Sequence, residues 1–95
     1  ISAENSGEGF FSKGWIFNAA MQFKVDRLLS LVHGIEAERL KGVFITTEGS
    51  VAFNKVDSVV TRLNLKELND SRIEIISGRV DTLEGIEEEL LTCLA

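Results

Sequence analysis

His33 and Cys93 are the single histidine and the single cysteine of this chain, and an imidazole nitrogen with a thiolate is a donor pair that zinc accepts. A buried zinc takes four ligands, or three and a water, so carboxylates such as Glu36, Glu38 or Glu89 would have to complete the set. The plainer reading places Cys93, among Leu90, Leu91 and Leu94, as a small buried thiol, and His33 in solvent at a helix C-terminus, where its cationic form suits the dipole. Gly7, Gly9 and Gly14 evoke a phosphate-cradling loop. That loop needs its glycines between a strand and a helix and a G-x-x-x-x-G-K-S/T run, which the chain does not contain. Glu84, Glu87, Glu88 and Glu89 crowd one helical face, whereas acid–base catalysis wants two carboxylates in unlike surroundings across a cleft. They read as a solvated face. Asp26 and His33 with Ser30, Ser50 or Ser71 make a triad on paper only, since no serine sits on a strained elbow beside an oxyanion hole. No enzyme is expected in this chain alone, and no cofactor or metal is assigned to it.

Arg39, Lys41 and Lys55 are brought together by a hairpin, at its open end, and the strand they flank carries apolar residues on both parities: Leu40 and Phe44 on one, Val43 and Ile45 on the other. One parity faces a core. The other suggests a partner-binding surface made by Arg39, Lys41, Val43 and Ile45, with Lys41 otherwise serving as an edge charge that blocks unwanted strand pairing. Trp15, Phe17, Phe44 and Phe53 are expected in the core.

These residues need elements to hold them. Residues 1–9 are polar and glycine-containing and read as a flexible linker, leaving a domain over 10–95. Phe11, Trp15 and Phe17 share one parity of a strand over 10–17, with Gly14 marking a bulge or a close approach. Val25, Leu28, Leu29 and Val32 recur at helical spacing, and Gly34 is placed to end that helix. Leu40–Thr47 and Val51–Val56 flank a Glu48-Gly49 turn and form a hairpin. Val59–Leu63 extends it, residues 64–71 read as a polar turn, and a further strand covers 72–77. Asp81, with Glu84 three positions on, resembles a capping box that starts a last helix striped by Leu83, Ile86, Leu90 and Leu94. The order strand, helix, strands, helix argues for an α+β domain: a mainly antiparallel sheet of four or five strands with two helices on one face, in ferredoxin-like style.

Size and charge add bounds. A chain of 95 residues supports one domain with one small core. Fifteen acidic against ten basic side chains give a charge of −5, which repels phosphates and disfavours nucleic acid and anionic membrane as partners. One cysteine permits no internal disulfide and suggests a reducing, cytoplasmic setting. No apolar run approaches the roughly 20 residues that span a bilayer. A first residue of Ile rather than Met suggests a piece of a longer protein.

Two motifs carry a family resemblance. Arg39-Leu40-Lys41-Gly42-Val43-Phe44-Ile45, the following turn and the strand reaching Phe53-Asn54, and then Asp70-Ser71-Arg72-Ile73-Glu74-Ile75-Ile76, resemble the C-terminal domain of the CobW-type GTPases. Those proteins are associated with metal delivery or cobalamin synthesis. The resemblance spans the chain after residue 9. It implies a non-catalytic accessory domain that docks on the parent GTPase domain or on a metalloprotein client. GTP, magnesium and zinc or cobalt would belong to the parent. The alternative is a free-standing ferredoxin-like module that binds a small molecule or oligomerises. An upstream GTPase domain in the full-length product separates the two.

Overall fold

A strand that carries Phe11, Trp15 and Phe17 on one parity must bury that face, and the fold is arranged around that requirement. The computed structural model describes residues 1–95. The strands are β1 (Ser2–Gly7), β2 (Phe10–Asn18), β3 (Arg39–Thr46), β4 (Gly49–Val56), β5 (Val59–Leu65) and β6 (Asp70–Ser77). Helix α1 (Val25–Gly34) joins β2 to β3, and α2 (Ile86–Thr92) follows β6 after a 3₁₀ turn at Val80–Leu83. All six strands form one sheet in the order β1-β2-β6-β3-β4-β5, antiparallel at every junction. The α+β class and the antiparallel sheet agree with the sequence reading; six strands are more than the four or five expected.

The core lies on one side of the sheet. Trp15 and Phe17 of β2, Ile73 and Ile75 of β6, Leu40 and Phe44 of β3, and Val51 and Phe53 of β4 all point to it. Val25, Leu28 and Val32 of α1 and Ile86 and Leu90 of α2 cover them, so both helices pack on the same face. Phe23 joins the layers, meeting the rings of Phe17 and Phe44 edge-on at 5.4 and 5.2 Å, a favoured aromatic geometry.

Four expectations need correction. Residues 1–9 are not a free linker: Ser2–Gly7 pairs with β2 in register from Ser2 opposite Trp15 to Gly7 opposite Phe10. Every side chain of β1 is exposed, so no apolar alternation announced it. Its turn works because Glu8 and Gly9 both take positive φ, 52° and 81°, which fits the twist of a tight hairpin. Second, β5 and β6 take in half of the supposed 64–71 turn, leaving residues 66–69 between them. Third, the last helix is broken at Gly85, whose φ of 75° is left-handed, and Asp81 pairs with Arg79 at 2.8 Å instead of capping. Fourth, Gly34 does not end α1 with a positive φ. Ile35 donates its backbone N–H to Leu31 O, and the Lys55 ammonium takes the carbonyls of Val32, His33 and Ile35.

The ferredoxin-like comparison holds for one part. The β2–α1–β3 unit is split by β6, which lies antiparallel between its two strands; the second helix, however, trails the last strand instead of connecting two. No helix is long and apolar enough to cross a membrane.

Candidate functional site

The structure takes the metal and catalytic candidates apart. Cys93 lies at the start of α1, where its carbonyl accepts the Lys24 N–H at 2.8 Å, while His33 is exposed in the last turn. The ten-residue helix between them is about 15 Å long at 1.5 Å per residue, too far for one ion. Burial pushes the Cys93 thiol above the usual cysteine range. Glu38 is engaged, accepting the Gly78 N–H at 2.7 Å. Glu84, Glu87, Glu88 and Glu89 are all exposed, and no three His, Cys, Asp or Glu residues gather as a metal-binding group. Asp26 and His33 are two turns apart on α1 and both exposed. Gly7 and Gly9 belong to the β1–β2 hairpin, and Gly14 pairs regularly with Ala3 and Glu74 without a bulge.

What remains is the face of the sheet that the helices leave bare. Arg39, Lys41, Val43 and Ile45 all lie on it, opposite in parity to the core residues Leu40 and Phe44. Lys55 does not join them. It pairs with Leu40, faces the helices and is 5% exposed. Pairing registers align the open face into rows. One row runs Leu63, Ala52, Val43, Arg72, Ile16 across five strands; the next runs Thr61, Asn54, Lys41, Glu74, Gly14, Ala3. Leu63 is 64% and Ile16 36% exposed, so the first row is an apolar band interrupted by Arg72. That cation is answered by Asp70, whose carboxylate it meets at 2.8 and 3.0 Å. The hydrogen-bonded guanidinium holds the Asp70 carboxyl below its ordinary range and raises Arg72 in turn. Arg39, Lys41 and Glu74 have no ion-pair partner.

Between the two rows the face is dented. A cavity of about 350 Å³ opens over Gly14, walled by Ile16 and Val43 and bordered by Lys41, Glu74 and Arg72, with Ile1 and Ala3 on its β1 side. Sequence reasoning placed Val43 and Lys41 on this surface but missed Ile16, Ala52 and Leu63. The second parity of β2, where Ile16 sits among core-facing aromatics, was the signal available for the first of these.

The motif residues have internal tasks as well. A side chain at Gly42 would put Cβ 2.7 Å from Phe44 Cε2, so the ring of Phe44 occupies the space that only glycine leaves free. Ser71, fully buried, accepts the Ile45 N–H on its Oγ at 2.8 Å, just beyond Val43–Arg72, where the β3–β6 ladder ends.

The fold and this surface define a small α+β domain with one face sealed by helices and the other open, charged and partly apolar. Over 91 residues, 92% of its length, the chain is 34% identical to the zinc chaperone YeiR of Escherichia coli (strain K12). It spans 27% of the length of that relative. No protein-family profile matches the chain, and no solved structure does.

Proposed function

We propose that this chain is a non-catalytic accessory domain of a CobW-like metal-chaperone GTPase, and that it docks on the nucleotide-binding domain through the open face of its sheet. The observation that carries the reading is that bare face: one side of a six-stranded sheet with an apolar row, a dent and two unpaired cations. Such a surface suits burial against a partner. Two likenesses support the wider assignment. The strand motifs resemble a family of metal-associated GTPases, and the chain is similar to about a quarter of a zinc chaperone, as a piece of a larger machine would be. Zinc is accordingly favoured over cobalt as the parent's cargo, with GTP and magnesium handled outside this domain. A reducing, cytoplasmic setting accords with the lone buried thiol of Cys93.

The test is a titration of this domain into its separately expressed nucleotide-binding domain, with and without GTP and magnesium. The domain supplies its own core, so it can be used alone. Wild type should form a saturable complex, folded Val43→Asp should not, and the isolated domain should bind no nucleotide at micromolar concentration. Saturable nucleotide binding by the isolated domain, or an unaltered complex with Val43→Asp, would overturn the reading.

A further inference from the structure

We infer that the dent over Gly14 is the seat for one large apolar side chain of the docking partner, and that a carboxylate on the partner lies beside it to meet Lys41. The inference rests on the docking reading above and specifies the chemistry of the opposing surface.

Two observations carry it. The first is shape. Gly14 presents no side chain to the open face, and its register neighbour on β1 is only Ala3, while Ile16 and Val43 stand up in the adjoining row. The resulting cavity of about 350 Å³ is at the small end of the range that holds ligands, roughly 300–1,000 Å³. Val43 walls it, and from Val43 the apolar row runs on through Ala52 and Leu63, so an occupant can continue across the sheet as a protein surface does. Anchors of this kind, a bulky side chain in a central pocket ringed by polar groups, dominate protein interfaces.

The second observation is charge. On the open face Arg39, Lys41 and Arg72 outnumber Asp70 and Glu74, so the face carries +1 while the whole chain carries −5. The local balance of charged side chains is thus opposite in sign to that of the chain as a whole. Arg72 is satisfied by Asp70, which leaves Arg39 and Lys41 to complement an acidic partner. Lys41 borders the dent; its register neighbour Glu74 does not hold it in an ion pair. Complementary rim charges of this sort steer encounter and fix orientation more than they add affinity.

Gly14→Val fills the seat at little cost to the fold. Its backbone is not left-handed, the new Cβ would stand 3.4 Å from the nearest atom, Ile73 O, and a β-branched residue suits a strand. The titration against the nucleotide-binding domain is repeated with this variant, with Ile16→Ala, which removes one wall, and with Lys41→Glu, each first shown to be folded by thermal melting. The expected results are a dissociation constant raised about 30-fold or more by Gly14→Val and about 5-fold by Ile16→Ala, and a several-fold slower association with Lys41→Glu whose salt dependence is lost or reversed. Should Gly14→Val melt early, Ile16→Ala decides the seat. Wild-type binding by Gly14→Val and Ile16→Ala, while Val43→Asp abolishes the complex, would overturn the seat and leave docking standing. Wild-type salt dependence in Lys41→Glu would overturn the acidic complement. Binding untouched by Val43→Asp as well would remove the docking reading itself.

Discussion

Replacing Lys55 by Met should destabilise this domain more than any other single change to a charged residue. The ammonium is drawn under the end of α1 and donates to Val32 O at 2.8 Å, His33 O at 3.1 Å and Ile35 O at 2.6 Å. It thereby supplies the C-terminal cap that Gly34 does not. The bonds to Val32 and Ile35 are buried and that to His33 is partly exposed, so on loss of the ammonium the His33 carbonyl turns to water while two acceptors stay dry. Each orphaned buried acceptor costs about 1–3 kcal/mol. Relief from burying a charge offsets part of that, and Met preserves the packing of the aliphatic stem. The net expectation is a loss of about 2–4 kcal/mol, a large share of the ~5–15 kcal/mol that a domain has in hand. At about 4–8 °C per kcal/mol for a domain of this size, the melting temperature should fall by roughly 8–30 °C. Urea unfolding followed by the fluorescence of Trp15, the only tryptophan, measures the free energy directly. A Lys55→Met variant within about 0.5 kcal/mol of wild type, the range ordinary for surface changes, would show that the helix end is satisfied by other means.

Ser71→Ala should cost about 1–3 kcal/mol by orphaning the Ile45 N–H, and amide exchange at Ile45 should accelerate by more than global destabilisation accounts for; unchanged exchange would mean that another acceptor replaces Oγ. Because the folded Cys93 thiol is raised above its unfolded value, the unfolded chain loses its proton first. Stability from this group is therefore level below about pH 8.5 and declines as pH rises beyond it. Urea titrations between pH 7 and 10 should show that decline in wild type and a flatter profile in Cys93→Ala; parallel profiles would contradict it.

The β3–β4 hairpin was legible because its signals are local: alternation on both strands and a glycine at the turn, where Gly49 takes φ 103°. The same is true of the α1 stripe. What distant partners fix was not legible. β1 has no buried side chain and exists because the open edge of β2 offers a ladder. β6 was expected as a strand over 72–77, but its place between β2 and β3 rests on pairings across as many as 66 positions of sequence, Phe11 with Ser77, which no local pattern encodes. Lys55 illustrates the third kind of miss. A lysine in an amphipathic strand reads as a solvated charge, and only the approach of a helix end turns that position into a cap. The surface was half legible for a related reason: the parity of Val43 and Ile45 follows from β3 alone, whereas joining them to Ile16, Ala52 and Leu63 requires the strand order.

The motifs that carry the family resemblance divide into two groups once each residue is placed. Gly42 is required by the ring of Phe44, Ser71 by the stranded N–H of Ile45, and Arg72 with Asp70 forms a neutral pair on the sheet. These residues are explained by folding, and any chain that keeps this sheet has reason to keep them whatever it does. Arg39 and Lys41 are different. They are exposed and have no ion-pair partner within the domain. A cation with no ion-pair partner, on a face whose charged side chains sum to +1 in a chain of −5, is on the proposed reading a residue that serves a partner. Recognition is therefore to be sought first at the Lys41 side of the sheet, around the dent over Gly14, and only afterwards among the helices.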